Sequence, residues 1–102
     1  MKSFLIATAL LLLSTLALAN ETTLAISGLT VKKDQVVFVK LVNSKFAYLH
    51  GFHAPTDFSA NDEVNVVFED VVPGEYVLDV IVRESDVGKI VSEKKLRVKI
   101  EG

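Results

Sequence analysis

Apolar and polar residues alternate along much of this 102-residue chain. The alternation is clearest on either side of Pro73-Gly74. A period of two places every second side chain on the same face of a strand, and so predicts strands with one buried face. Pro fixes φ and Gly tolerates positive φ, so the pair favours a turn. The sequence therefore predicts strands over residues 63–69 and 75–83, joined as a hairpin by a tight turn. The apolar residues at alternate positions are Val64, Val66, Phe68, Tyr76, Leu78, Val80 and Val82.

Three further segments have strand character. Residues 22–27 alternate, with Leu24 and Ile26 on one face. Residues 35–42 are apolar on both faces, which is typical of a central strand. The last segment, 95–101, alternates apolar with charged residues and predicts a strand with one wet face. Residues 43–62 are predicted to form a long irregular connection with a short strand around positions 46–49.

These elements predict an all-β fold, a small antiparallel Ig-like or prealbumin-like sandwich of about five to seven strands. No helical period persists beyond residue 19. The chain has no cysteine, so neither disulfides nor thiol catalysis is available. A small exported domain of this kind must rely on its apolar core alone.

The first nineteen residues have the pattern of a secretory signal peptide. Lys2 gives a positive start, an apolar run follows, and Ala17-Leu18-Ala19 fits the small-x-small cleavage rule. The apolar run is shorter than the ~20 residues that a membrane span needs. We therefore predict cleavage before Asn20, a single domain over residues 20–102 without a membrane span, and a secreted or periplasmic location.

The segment Phe68-x-Asp70-x-x-Pro73-Gly74-x-Tyr76-x-Leu78-x-Val80 resembles the hairpin signature of prealbumin-like (transthyretin-like) domains, which include carboxypeptidase regulatory-like and Cna B-type modules. A narrower resemblance, over about residues 24–82, is to the exported bacterial family DUF2141. It is carried by the same block together with Ile26-Ser27-Gly28-Leu29, Leu41-x-Asn43-Ser44 and Phe46. The resemblance implies an exported β-sandwich and assigns no catalytic residue.

Charge and motifs exclude several functions. Without Lys2, thirteen acidic side chains outnumber ten basic ones. This balance disfavours a nucleic-acid partner, which needs a concentrated basic surface. No nucleophile elbow or Gly-rich phosphate loop is present. Glu69 and Asp70 are adjacent on a strand and point to opposite faces, so they cannot act as a carboxylate pair. We expect a protein that is not an enzyme and that uses no cofactor.

Residues 46–58 are unusually aromatic for a predicted loop. One interpretation is that their rings cap the open end of the sandwich. The other is an exposed surface that binds a protein, glycan or lipid ligand. The candidate ligand-binding residues are Phe46, Tyr48, Phe52 and Phe58.

The same segment suggests an alternative function. His50, His53 and Asp57 could together ligate a metal ion if the chain turns at Gly51. The alternative is therefore a secreted metal-binding protein, against the simpler interpretation of His50 and His53 as partly exposed loop residues.

Two surface patterns concern partners. Lys95, Arg97 and Lys99 form a basic stripe, which either deters edge-to-edge aggregation or faces an anionic partner. The 75–83 strand has one face that should contact solvent, but half of the residues on this face are apolar. Either further strands or a second copy of the chain would therefore cover it. A homodimer is therefore a candidate assembly. The residues on that face are Val77, Asp79, Ile81 and Arg83.

Overall fold

The computed structural model describes the main chain of residues 11–18 and both main chain and side chains of residues 21–85 and 87–101. Within these residues the regular structure consists of β-strands. Several of them form at alternating apolar positions, as the sequence pattern predicts. The strands are β1 (Leu11–Leu18), β2 (Glu21–Ser27), β3 (Val36–Val42), β4 (Ala47–His53), β5 (Val64–Glu69), β6 (Gly74–Arg83) and β7 (Ile90–Ile100).

The strands form two antiparallel sheets, which confirms the prediction of an all-β sandwich. The first sheet has the order β1-β2-β5, and the second has the order β4-β3-β6-β7. Their inner faces share one hydrophobic core, because alternate side chains of each strand point inward. The most deeply buried are Leu24, Ile26, Val31, Val37, Val39, Leu41, Val66, Leu78, Val80 and Val82.

The predicted hairpin around Pro73-Gly74 is wrong. β5 pairs with β2 in the first sheet, whereas β6 pairs with β3 and β7 in the second. Residues 70–73 therefore carry the chain from one sheet to the other. Asp70 has a left-handed φ of 57° there, which Asp tolerates better than most residues. Crossing between sheets lets Phe68 and Tyr76, both buried, enter the core from opposite layers.

The predicted long connection over residues 43–62 is wrong in its first half, where the short strand predicted around positions 46–49 is the start of a longer strand. Residues 47–53 form β4, which pairs with β3 from Val42↔Ala47 to Val36↔His53. The predicted central strand is confirmed, because β3 has β4 on one side and β6 on the other. The final strand β7 is an edge strand, with Val98 and Ile100 buried and the basic stripe exposed.

Part of the predicted signal peptide is described as a strand. β1 pairs antiparallel with β2 along its length. The rest of the predicted leader, including the cleavage position after Ala19, lies outside the described residues, and its removal stays a prediction. Over the described ranges, no helix is long and apolar enough to cross a bilayer.

Candidate functional site

Three ring-bearing residues of segment 46–58 do not lie in a loop but follow one face of strand β4. Tyr48, His50 and Phe52 occupy alternate positions and are half-buried, while Leu49 between them is 63% exposed. Both Tyr48 and His50 contact the ring of Phe68 on β5, with centroids 6.4 Å and 6.3 Å apart. These rings fill the side of the sandwich where β4 and β5 meet, which supports the interpretation that they close the core.

Two tyrosine hydroxyls fix the connection between β5 and β6. The Val72 amide donates to the Tyr48 hydroxyl at 3.1 Å. The Tyr76 hydroxyl donates to the Val72 carbonyl. The main-chain amide and carbonyl of Val72 are therefore both hydrogen-bonded to side chains of the second sheet. These bonds anchor the connection between β5 and β6, although most of it is exposed. A Tyr hydroxyl bound to the main chain a few residues upstream also occurs in Ig-like sandwiches.

The burial of Tyr76 changes its acidity. The residue is 3% exposed, and desolvation raises the pKa of its hydroxyl above the usual value. Side-chain hydrogen bonding with Tyr48 and the charge of Tyr48 raise this pKa further, whereas side-chain hydrogen bonding with Asn43 lowers it. The protonated hydroxyl, which can donate to Val72, is therefore the favoured form.

An exposed aromatic ring lies at the same corner. Phe46 is 37% exposed and stacks on Tyr48, with centroids 6.4 Å apart. Its position is set by the turn between β3 and β4, where the Asn43 side-chain oxygen accepts from the amides of Lys45 and Phe46, both at 2.8 Å. Val72, 41% exposed, completes the surface. We call Phe46, Tyr48 and Val72 the corner patch.

A depression of about 490 Å³ opens at the same end of the second sheet. Val42 and Val77 supply apolar lining, and Arg97 and Lys99 of β7 supply positive charge. The Asn43 amide donates to the Glu75 carbonyl at 3.2 Å across the depression's rim. The remaining lining residues are Tyr76 and Val98. The carboxylate of Glu75, which lies opposite Lys99, offsets part of this charge. The lining keeps an excess of one positive charge beside its apolar residues, which suits a ligand that combines apolar and acidic groups.

The structure does not bring all four candidate aromatic residues together. Phe58 forms an isolated bridge with Val31, which precedes β3, whereas Phe46 follows β3. A seven-residue strand separates them, which corresponds to about 20 Å. Phe52 is half-buried near the Phe58 end of β4. Phe46 and Tyr48 therefore form one surface, to which Phe52 and Phe58 do not belong.

The three candidate metal ligands are also separated. His50 and His53 are three positions apart on a regular strand, so they point to opposite faces. His50 packs against Phe52 at 6.0 Å. The Asp57 carboxylate accepts a hydrogen bond from the Lys33 amide at 2.7 Å. Within the described residues, no group of three or more His, Asp or Glu side chains could hold a metal ion.

The outer face of the second sheet carries one buried acid that the sequence pattern does not single out. Asp79 is 8% exposed, and its Oδ1 atom has no hydrogen-bond partner among the residues that the structure describes. Burial raises the pKa of this carboxyl, and Glu93 on β7 raises it further. The cross-strand neighbours Lys40 and Lys95 act in the opposite direction. In the sequence, Asp79 lies between Val77 and Ile81 on the same face of the strand. These two apolar neighbours are the sequence signal that Asp79 has half-buried surroundings.

Of the corner patch, the sequence indicates Phe46 and Tyr48 but not Val72, because Val72 lies outside the aromatic segment. The signal for Phe46 and Tyr48 was the spacing of two that continues to His50 and Phe52, which a strand explains and a loop does not.

The fold and these surfaces define a small antiparallel β-sandwich with an anchored, exposed aromatic corner. No family model, no curated protein and no solved structure matches this chain.

Proposed function

We propose that this chain is an exported, non-enzymatic β-sandwich module that binds a protein partner through the corner patch. The observation that carries the proposal is the exposed ring of Phe46 on a fixed support. Aromatic residues are enriched where proteins bind each other, since they bury a large area at a small entropic cost.

The residues beneath Phe46 favour a role for its exposed ring in binding a partner. Phe46 stacks on Tyr48, and Tyr48 is fixed by the Val72 amide. A surface that is already ordered loses little conformational entropy on binding, so a larger part of the contact energy appears as affinity. Within the corner patch, the Tyr48 ring contacts Phe46 and the Tyr48 hydroxyl accepts from the Val72 amide, so both neighbours hold Tyr48 in place.

The neighbouring depression favours a partner with acidic groups beside its apolar contact. Arg97 and Lys99 line this depression and are exposed. Charges at the rim of an interface act mainly on association rate and on specificity. We therefore expect salt to slow association more than it speeds dissociation.

A photocrosslinking amino acid at Phe46 tests the proposal in the compartment to which the protein is exported. The matched control places the same amino acid at Val67, which is 42% exposed on the outer face of β5. We expect a discrete protein adduct from position 46 and a much weaker one from position 67. The Val72 position should give the same adduct as position 46.

Equal crosslinking from positions 46 and 67, or none from position 46, would contradict the corner patch as the contact surface. A Phe46→Ser variant that keeps its stability and still gives the adduct from position 72 at full yield would contradict the role of the ring.

A further inference from the structure

We propose that removal of the leader opens a slot beside strand β2, and that a single extended segment of an exported partner protein fills it as an added strand. The inference rests on the export and processing that belong to the proposed function. It adds a second binding site, which lies at the opposite side of the sandwich from the corner patch and recognises the main chain of the partner.

The described chain shows that the β2 edge accepts a whole strand. β1 pairs with β2 from Leu18↔Glu21 to Leu11↔Ser27. The other edge of β2 is already paired with β5. Cleavage before Asn20 would remove every residue of β1. The main-chain groups of β2 that β1 satisfies would then face solvent along the full strand.

The inner face of the second sheet forms the floor of this slot. β4 and β5 are outer strands of their sheets and lie against each other, with Tyr48 in contact with Phe68. The other two outer strands, β1 and β7, therefore lie at the opposite side of the sandwich. Val98 and Ile100 of β7 face inward and are buried. Without β1, the first sheet has two strands against four, so the inner face of β7 loses its cover.

The shape of the slot admits one strand but not the edge of another sheet. β6 and β7 extend past the edge of β2, because the second sheet begins with β4 opposite β5. A second copy that paired through its own β2 would bring its β6 and β7 into the same space. An isolated strand fits, since β1 occupies this position. Addition of an extended peptide to a sheet edge is a general mode of recognition, in which main-chain hydrogen bonds supply affinity.

The composition of the slot specifies the chemistry of the added segment. The only charged residue of β2 is Glu21, at its first position, and the strand contains neither Pro nor Gly. The floor is apolar at Val98 and Ile100. An added strand turns one face towards this floor and the other towards solvent. The segment should therefore be as long as the seven residues of β2 and carry apolar residues at alternate positions.

The remaining outer strands have their own protection against strand addition. β7 carries four basic residues between positions 94 and 99, and charged residues of this kind discourage pairing with another strand. β4 and β5 cover each other, since Tyr48 and His50 both contact Phe68. The β2 edge is therefore the one that processing leaves open among the described strands.

The test uses the protein purified from its export compartment. Mass spectrometry establishes whether residues 1–19 are absent, and light scattering gives the molar mass, for which we expect a monomer. The probe is a fluorescent peptide with the sequence of residues 11–18, flanked by added lysines for solubility. We expect its anisotropy to rise when the processed protein is added.

Two modified peptides test whether binding uses the main chain. One carries N-methyl groups on the amides of positions 15 and 17, and the other on those of positions 14, 16 and 18. Alternate amides of a strand point to opposite edges, so only one of these sets faces β2. We expect one peptide to bind like the parent peptide. The other should bind about tenfold or more weakly, because it loses its hydrogen bonds to β2.

A pair of isosteric variants tests the floor of the slot. Val98→Thr keeps the shape of the side chain but places a hydroxyl beneath the peptide, so it should weaken binding about fivefold. The matched control, Val91→Thr, changes an exposed residue of the same strand and should leave binding unchanged.

A photocrosslinking amino acid at Thr23 of β2 tests for the partner segment in the export compartment. We expect a protein adduct that an excess of the unmodified peptide suppresses. An adduct that persists in excess peptide would arise from another surface and would contradict the slot as the contact site.

The outcomes separate the two proposals. Equal binding of the two methylated peptides, no binding of the parent peptide, or equal effects of the two valine variants would overturn the slot and leave the corner patch intact. A processed dimer that the peptide dissociates would assign the slot to a second copy and overturn the partner segment. An unprocessed exported protein would overturn the slot and the predicted removal of the leader, but not binding through the corner patch.

Discussion

The rings of Tyr48 and Tyr76 meet edge to face with centroids 6.0 Å apart, and their hydroxyls bind the same residue, Val72. The two tyrosines come from β4 and β6, which β3 separates. Val72 lies in the connection that crosses from the first sheet to the second. This arrangement joins both sheets at one corner, and the exposed Phe46 ring rests on it.

We expect this corner to be important for stability. Tyr76→Ala should lower the free energy of unfolding by about 3–5 kcal/mol, because it removes a large buried ring. Tyr76→Phe keeps the ring and loses the bond to the Val72 carbonyl, so it should cost about 1 kcal/mol. Urea unfolding of the purified protein measures both. A near-neutral Tyr76→Ala would contradict the position of Tyr76 in the core.

The raised pKa of Tyr76 predicts a loss of stability in strong base. Because the folded-state pKa lies above the unfolded one, this group's contribution is complete below about pH 10. The contribution is lost as pH rises through the folded-state pKa. Unfolding curves between pH 9 and 12 should therefore converge for the parent and Tyr76→Phe. A stability difference that stays constant over this range would contradict the shift.

Asp79→Asn should stabilise the protein at neutral pH by about 1 kcal/mol, because an amide removes a buried charge beside Glu93. The folded-state pKa of Asp79 is raised, so the stability due to its protonated form is complete below about pH 4. That stability is lost as pH rises through the folded-state pKa. The advantage of Asn over Asp should therefore vanish in acid and grow towards neutrality.

Thermal unfolding of Asp79→Asn from pH 3 to pH 8 measures this difference. Lys40 and Lys95 face Asp79 from the neighbouring strands and oppose the effect, so their charges must be kept in all variants. The control is Glu69→Gln on the exposed face of β5, for which we expect little change. Destabilisation by Asp79→Asn at neutral pH would show that the ionised carboxylate has a partner.

Gly28→Ala should destabilise the protein by about 1–2 kcal/mol. Gly28 follows β2 with a φ of 93°, and a Cβ atom is unfavourable in this region. Its amide donates to the Ala60 carbonyl at 3.0 Å, so the backbone cannot easily relax. The neighbouring Ser27→Ala serves as the control in chemical denaturation and should stay within about 0.5 kcal/mol of the parent. Equal effects of the two substitutions would contradict a strained position.

The inward-facing residues could be predicted from the sequence, whereas the local surroundings of the candidate site could not. Leu24, Ile26, Phe68 and Tyr76 are all buried, as the alternation predicts. For the region of β4 the sequence predicts only a short strand around positions 46–49, because His50, Gly51 and His53 obscure the apolar alternation beyond it. The hydrogen bonds of Val72 to two tyrosines depend on residues that are close in space and, for Tyr48, distant in sequence.

The sequence by itself determined that this chain is built from strands and which face of β2, β5, β6 and β7 is buried. It did so because successive side chains on a strand point to opposite faces, a property of local geometry. Only the tertiary structure decided which strands pair. A four-residue connection such as 70–73 can join neighbours in one sheet or cross between two. Crossing was favoured here because Phe68 and Tyr76 then enter one core from opposite layers, and this depends on packing between distant segments.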